Sequence, residues 1–446
     1  MIHQNANPQA QASPFWLRCL PLTLLQAYLA GTIVLFLVGP YPWPIDNPIA
    51  VVGFLLVVQI ALMAGYLSSA RKEPLVRQSD ETMAKLINVV LIVAAIWAIP
   101  AFMIKTVTVR DVYGGPLQTI IAGFTKPGEV YNQHQTVVAM RQAGSIGSLA
   151  PGYLTFLDFL LSPVVSLAMP LGIVLWNRLT MGQRALLVFV TTAQVVSWIG
   201  IGTNKGLFDL VILFPWLYIS QQVRAGTAAG VVLGRVAAFG GSLAILVLAY
   251  FVIGGMGRHA DRGMNVAEFI DVGDGYRGIF GMMPEGLAFG LLRLCDYLTQ
   301  GYYALSLALG LDFEPCWGLG NSYWLSSWAK AFTGDVSIIE HSFPGRLQAL
   351  DINLYTRWHT FYVWIASDVS FFGVPVVVFV IGRMLASAWV DSLWGSDVFA
   401  IGLLHLLIIM VVYFPGNNQV LGYAPSGIPF VAFAILRQFG GTLKRK

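Results

Sequence analysis

Charge is what this chain has least of. Lys, Arg, Asp and Glu together make up 11% of its 446 residues, well under the roughly 25% of an ordinary soluble domain. Hydrophobic residues make up 57% and mean hydropathy is +0.70. That balance excludes a row of soluble domains, and repeated apolar segments of about 17–25 residues read as membrane-spanning helices. Period-2 alternation is also missing. Val89–Ile99 and Val374–Ile381 are apolar throughout, which argues against a transmembrane barrel. A net charge of +4 gives no support to nucleic-acid binding. Cysteine is scarce: Cys19, Cys295 and Cys316 are odd in number and lack paired ligand spacing, so neither a zinc site nor a disulfide framework is indicated. Packed free thiols are favoured over a Cys295–Cys316 bridge. Met1–Trp16 has no Lys or Arg, hence no basic start of a secretory signal, and the long apolar segment after it reads as an uncleaved first span. No internal repeat or low-complexity tract stands out.

What is present is a bundle pattern. Candidate spans run roughly over 17–39, 49–68, 86–104, 153–176, 185–200, 207–220, 236–254, 363–385, 397–414 and 425–437. The expected fold is therefore all-α: a polytopic helical bundle of about ten or more transmembrane helices with a large, partly helical outer loop. It divides into N-terminal spans (1–254), the loop (255–360) and C-terminal spans (361–446). Basic residues cluster in alternate gaps: Arg71, Lys72, Arg77 and Lys85; Arg178 and Arg184; Arg224 and Arg235; Arg437 and Lys444–Lys446. The positive-inside rule puts these gaps and both termini in the cytoplasm and residues 255–360 outside. Gly286–Leu311 is apolar enough to span but holds Arg293, Asp296 and Gln300, and reads as a re-entrant or surface-lying helix.

The outer loop is the exception to the scarcity of charge. Eleven of the 22 acidic residues lie between Arg258 and Arg357, with seven basic ones. Three basic clusters carry candidate chemistry. Gly202-Thr203-Asn204-Lys205-Gly206 places an ammonium and several backbone amides in a turn between apolar runs, a plausible anion site; headgroup snorkelling is the plainer role for Lys205. Arg258 and Arg262, four apart on a glycine-rich segment, would face one way on a helix and suit a phosphate, unless Asp261 satisfies one of them. Arg357, His359 and Asp368 supply a cation, a titratable base and a carboxylate near the start of a late span. Trp358, Tyr362 and Trp364 offer flat surfaces for sugar rings, or form an interfacial belt. Asp271, Asp274 and Glu285 match no calcium loop, and no metal site is indicated.

These clusters, in this order, resemble the O-antigen polymerases, the Wzy-type oligosaccharide repeat-unit polymerases of the bacterial inner membrane. The Gly202–Gly206 turn, the loops at 105–152 and 255–360, Arg262 followed eleven residues later by Gly273, and Arg357–Gly373 carry the likeness. Where that family often has an arginine in the middle turn, this chain has Lys205. The resemblance implies a metal-independent membrane glycosyltransferase of the GT-C type, without cofactor. It would join undecaprenyl-pyrophosphate-linked oligosaccharides on the periplasmic face, among membrane lipids and with a chain-length regulator as a further partner. Lys205, Arg258, Arg262 and Arg357 are then the pyrophosphate-binding candidates. His359 is the expected base, titrating near its ordinary pKa of about 6.5, with Asp368 orienting or replacing it. An O-antigen ligase, a transporter or flippase of lipid-linked sugars, and a non-catalytic assembly subunit are the alternatives.

Overall fold

The computed structural model describes residues 14–75, 78, 80–142, 150–260, 274–334, 337–354 and 357–440. Every regular element among them is helical. In chain order they are α1 (Phe15–Val38), α2 (Pro48–Ala70), α3 (Asp80–Lys105), α4 (Pro116–Thr125), α5 (Pro127–Gln142), α6 (Gly152–Val174), α7 (Met181–Ile199), α8 (Lys205–Arg224) and α9 (Ala229–Ala260). They continue as α10 (Asp274–Gly281), α11 (Glu285–Ala308), α12 (Tyr323–Thr333), α13 (Ser337–His341), α14 (Phe343–Arg346), α15 (Phe361–Trp394), α16 (Val398–Val412) and α17 (Ala424–Gly440). Cys19, Cys295 and Cys316 are free thiols.

The chain is a multi-spanning membrane protein, but ten or more spans is a miscount. Among the described residues, six helices are long and apolar enough to cross a bilayer: α1, α2, α6, α8, α15, and the stretch Glu81–Thr108 that contains α3. The physical reasons differ. α16 is only 15 residues, about 22 Å at 1.5 Å per residue, short of a hydrocarbon core of about 30 Å. Val398, Ala400–Leu404 and Leu406–Met410 are buried in protein, so its apolarity reflects a protein core and not lipid. α7 carries Gln183, Arg184 and Gln194 within 19 residues. α17 is 17 residues with Pro429 inside and Arg437 in its last turn. α9 is a 32-residue helix of which several side chains lie outside the described residues, and among the described ones its apolar run is Gly230–Ser242. α11 is one unbroken 24-residue helix, with Glu285, Arg293 and Asp296 along it.

The chain divides into two compact units, Met1–Ser79 with Leu294–Lys446, and Asp80–Arg293. In the first, α2 and α15 lie backbone to backbone. A Cβ on Gly65 would stand 1.9 Å from the Phe379 carbonyl oxygen, and one on Gly382 2.3 Å from that of Leu62, the small-residue crossing of membrane helices. One end of this unit is tied by a buried ion cluster. Arg437 binds Asp391, and its Nε lies 3.5 Å from Asp397 Oδ2, while the Leu75 amide donates to Asp391 Oδ1 at 2.8 Å. α15 has 34 residues and breaks at Ser370 (φ 58°, ψ 169°), with Pro375 following. At about 51 Å it outruns the hydrocarbon core by several turns, and the break sets off 361–369 as its first segment.

In the second unit α3 packs on α6 and α7, and α9 on α5 and α8. The expected loop 105–152 is largely helical: α4 and α5 each open on proline, at Pro116 and Pro127, the position where a missing N–H costs nothing. Val109, Ala122, Val130 and Ile201 form a small core there, with Tyr113 and Trp198 against it.

Candidate functional site

The first unit's candidate site starts from the cap of α15. The Thr360 hydroxyl accepts from the Val363 amide at 3.3 Å, which fixes the chain entering the helix. Just before it, His359 is 1% exposed. Burial lowers its pKa to about 4, and a hydrogen bond to the Arg357 backbone works the other way. The imidazole is thus neutral at ordinary pH, which corrects the expected titration near 6.5. Its Nε2 is buried without a partner, as is the indole nitrogen of Trp364, whose ring centroid is 6.3 Å away. Arg357 is exposed, and no carboxylate among the described residues pairs with it. Trp358 is held by its neighbours: its amide donates to Gln300 Oε1 at 3.3 Å and Tyr297 meets it edge-on at 4.7 Å. A Cβ on Gly416 would stand 2.4 Å from its ring. Phe361 stacks on Phe414 at 4.5 Å.

Asp368 does not orient His359. Its Oδ1 accepts from the amides of Gly318 (2.8 Å) and Gly320 (3.0 Å), and its Oδ2 from the Asn321 amide (2.8 Å) and side-chain nitrogen (2.7 Å). Four donors occupy both oxygens, so the carboxylate clamps the 316–321 turn to the start of α15. The Cys316 amide adds a bond to the Ser367 carbonyl at 3.1 Å. Burial, then Asp368 and Glu314, push the Cys316 thiol up to about 12. The clamp holds Trp317 at φ 55°, a left-handed conformation unusual for a bulky residue, with its side chain 84% exposed.

The loop after α16 completes this end of the unit. Asn418 Nδ2 donates to the Asn321 carbonyl at 2.6 Å, Trp324 Nε1 to the Leu421 carbonyl at 2.8 Å, and Gln419 Oε1 is buried without a partner. The signal available in sequence was the polar run Asn417-Asn418-Gln419 between two apolar segments.

In the second unit the Lys205 turn is not an open tip. A Cβ on Gly202 (φ 68°) would lie 2.4 Å from the Pro127 carbonyl oxygen and 2.5 Å from the Tyr131 amide, so α5 packs directly over it and only glycine fits. Lys205 pairs with Asp209 one turn on and lies 5.3 Å from the centre of the Trp198 ring. Lys105 lies 3.4 Å from the same centre. Asp158 accepts from Trp97 Nε1 at 2.8 Å, and Thr108 Oγ1 is 2.6 Å from His134 Nδ1. Burial, then Lys105, lowers the His134 pKa to about 4. Both side-chain polar atoms of Asn204 and the Oδ1 of Asp209 are buried without partners. Sequence reasoning singled out Lys205 and missed Lys105, which comes from a helix a hundred residues earlier.

The backbone of Arg258 belongs to the last turn of α9, but its side chain, like the whole of Arg262, lies outside the described residues. No family model matches the chain, and neither a curated protein nor a solved structure is similar to it.

Proposed function

We propose that the chain is a membrane-embedded glycosyltransferase of the O-antigen polymerase kind, joining lipid-pyrophosphate-linked oligosaccharide repeat units on the outer face of the bacterial inner membrane. The observation that supports it best is His359: a buried, neutral imidazole whose Nε2 lacks a protein partner, two residues from the exposed Arg357. In this reading the acceptor hydroxyl oxygen attacks the anomeric carbon of the donor and passes its proton to His359 Nε2. The glycosidic bond to pyrophosphate breaks, and the leaving group keeps the electron pair. Arg357 stabilises that developing charge. Asp368 acts through the turn it clamps, as a positioning residue. No step requires a metal.

The test is the lipopolysaccharide ladder of a strain deleted for the chain. Loss of long chains with a single repeat unit retained supports the polymerase, and the wild-type chain restores them. Complete loss of capped core points to a ligase. A flippase of lipid-linked sugars is the second reading. It draws on Lys105, Asp158, Lys205 and Asp209, which gather ionisable groups on candidate spans of one unit where function is the default expectation. Accumulation of lipid-linked repeat units on the cytoplasmic side would favour it.

A further inference from the structure

We infer that α12 and the Trp317 turn dock on the surface of the bilayer, with the indole of Trp317 and the aromatic face of α12 as their contact with lipid. This goes beyond the proposed activity and does not depend on it. The first observation is a helix patterned inside out. In α12, Trp324, Trp328 and Phe332 recur every fourth residue and share one face, while Ser326 and the capping Ser322 fall on the opposite one. A helix that packs on a protein in water buries its apolar stripe. This one buries its serines: Ser326 is among the buried residues, and its hydroxyl donates to the Ser322 carbonyl at 2.8 Å. The aromatic side points away. Trp324 is tied through Nε1 to the Leu421 carbonyl, Trp328 meets it edge-on at 5.1 Å, and Phe332 at the far end is 85% exposed. Aromatic residues outward and polar ones inward are favoured where the outside is lipid.

The second observation is depth. Residues 361–367 of α15 are buried in protein, and an exposed apolar row begins at Val369 and continues through Phe372 and Val376, positions that share a helical face. On α2 a like row begins at Ile49 and continues at Leu56. Both helices are candidate spans, so these rows face lipid. Phe54 of α2 meets Phe371 edge-on at 5.4 Å, which sets the starts of the two rows level with each other. Asp368 stands one residue before the α15 row, and its carboxylate holds the Gly318 amide at 2.8 Å. Trp317 is the next residue in that turn, kept in its left-handed conformation with the indole outward. The indole is therefore fixed where lipid contact begins, the level at which an apolar ring with one N–H is favoured. Lys330 is exposed on the other side of α12, toward water. A second copy of the chain could cover the same aromatics, but it would not explain why they start level with the two lipid-facing rows.

The experiment is photo-crosslinking of the full chain in phosphatidylcholine nanodiscs. The photoreactive residue p-benzoylphenylalanine replaces Trp317, Lys330, Phe332 or Phe372, one at a time, and adducts formed on irradiation are read by mass spectrometry. Phe372, 95% exposed within the lipid-facing row of α15, is the positive control. Phosphatidylcholine adducts are expected at the Trp317 and Phe332 positions, as at Phe372, and are lost at Lys330, two residues from Phe332 but across the helix. Adducts at Phe372 without them at either Trp317 or Phe332 overturn the inference. Equal lipid adducts at Lys330 and Phe332 overturn it too, because the aromatic face would then have no special contact. An adduct with the mass of a second chain at Phe332 assigns the face to a copy of this protein instead. The contact is with lipid and not with the fold, so the melting temperature in detergent should be unchanged by the Trp317 and Phe332 replacements, and a fall in it would return these rings to the protein core. Every readout is independent of polymer synthesis.

Discussion

The two units carry polar clusters of opposite construction. In the first, backbone amides and side-chain carboxamides do most of the bonding, and the carboxylate they surround, Asp368, is saturated by four donors. In the second, lysines, an aspartate and a tryptophan face are gathered at the start of α8, and several polar atoms stay unpaired. The difference teaches that residue type alone is a poor guide to which group does chemistry. A satisfied carboxylate is scaffold, whereas a buried group with an open valence, such as His359 Nε2, is poised for a ligand. Asp391 and Arg437 repeat the first lesson at the other end of the first unit, where they are buried and paired.

The largest effect should come from breaking that paired cluster. Asp391→Ala leaves the Arg437 charge buried and should cost about 3–5 kcal/mol, read as loss of folded protein in a detergent melt. An unchanged melting temperature would erase the contrast between satisfied and open groups. Next, Arg357→Ala should reduce polymer synthesis by about 10²–10³-fold while leaving the melt unchanged. Normal synthesis would make Arg357 a surface anchor. Asp368→Ala, which strands the turn's donors, should destabilise by about 1–3 kcal/mol, and Asp368→Asn should lose less because one oxygen remains. Abolished turnover in a fully stable Asp368→Asn protein would instead restore Asp368 as the base. The smallest effect belongs to Trp317→Gly. Relief of the left-handed conformation and the extra chain entropy of glycine nearly cancel, so stability should stay within about 1 kcal/mol of wild type. A larger loss would mean that the exposed indole packs on something.

Much of this was readable from sequence, and the failures have physical causes. The helical membrane class follows from apolar runs without alternation. The count of spans does not, because α16 is as apolar as any span yet buries itself in protein, and hydropathy cannot distinguish lipid from core. The neighbourhood of Arg357 and His359 was legible as a local cluster. The environment of His359 was not, since its burial is set by packing from distant segments of the chain. Asp368 was misjudged because nine residues of spacing carry no information about a turn fifty residues upstream that takes all of its acceptors. Lys105 was invisible for the same reason: it meets Trp198 only after α3 and α7 pack.

The most direct test of the central claim is the pH dependence of turnover by the purified chain in nanodiscs, with lipid-linked repeat units as donor and acceptor. With its pKa lowered to about 4, His359 is already in its basic form throughout pH 5–8. The wild-type rate should be flat across that range and fall only as pH drops through the region of 4, and His359→Gln should lose turnover while still binding donor. A rate that climbs through pH 6.5, or a His359→Gln protein that polymerises normally, would contradict the assignment of the buried neutral imidazole as the base.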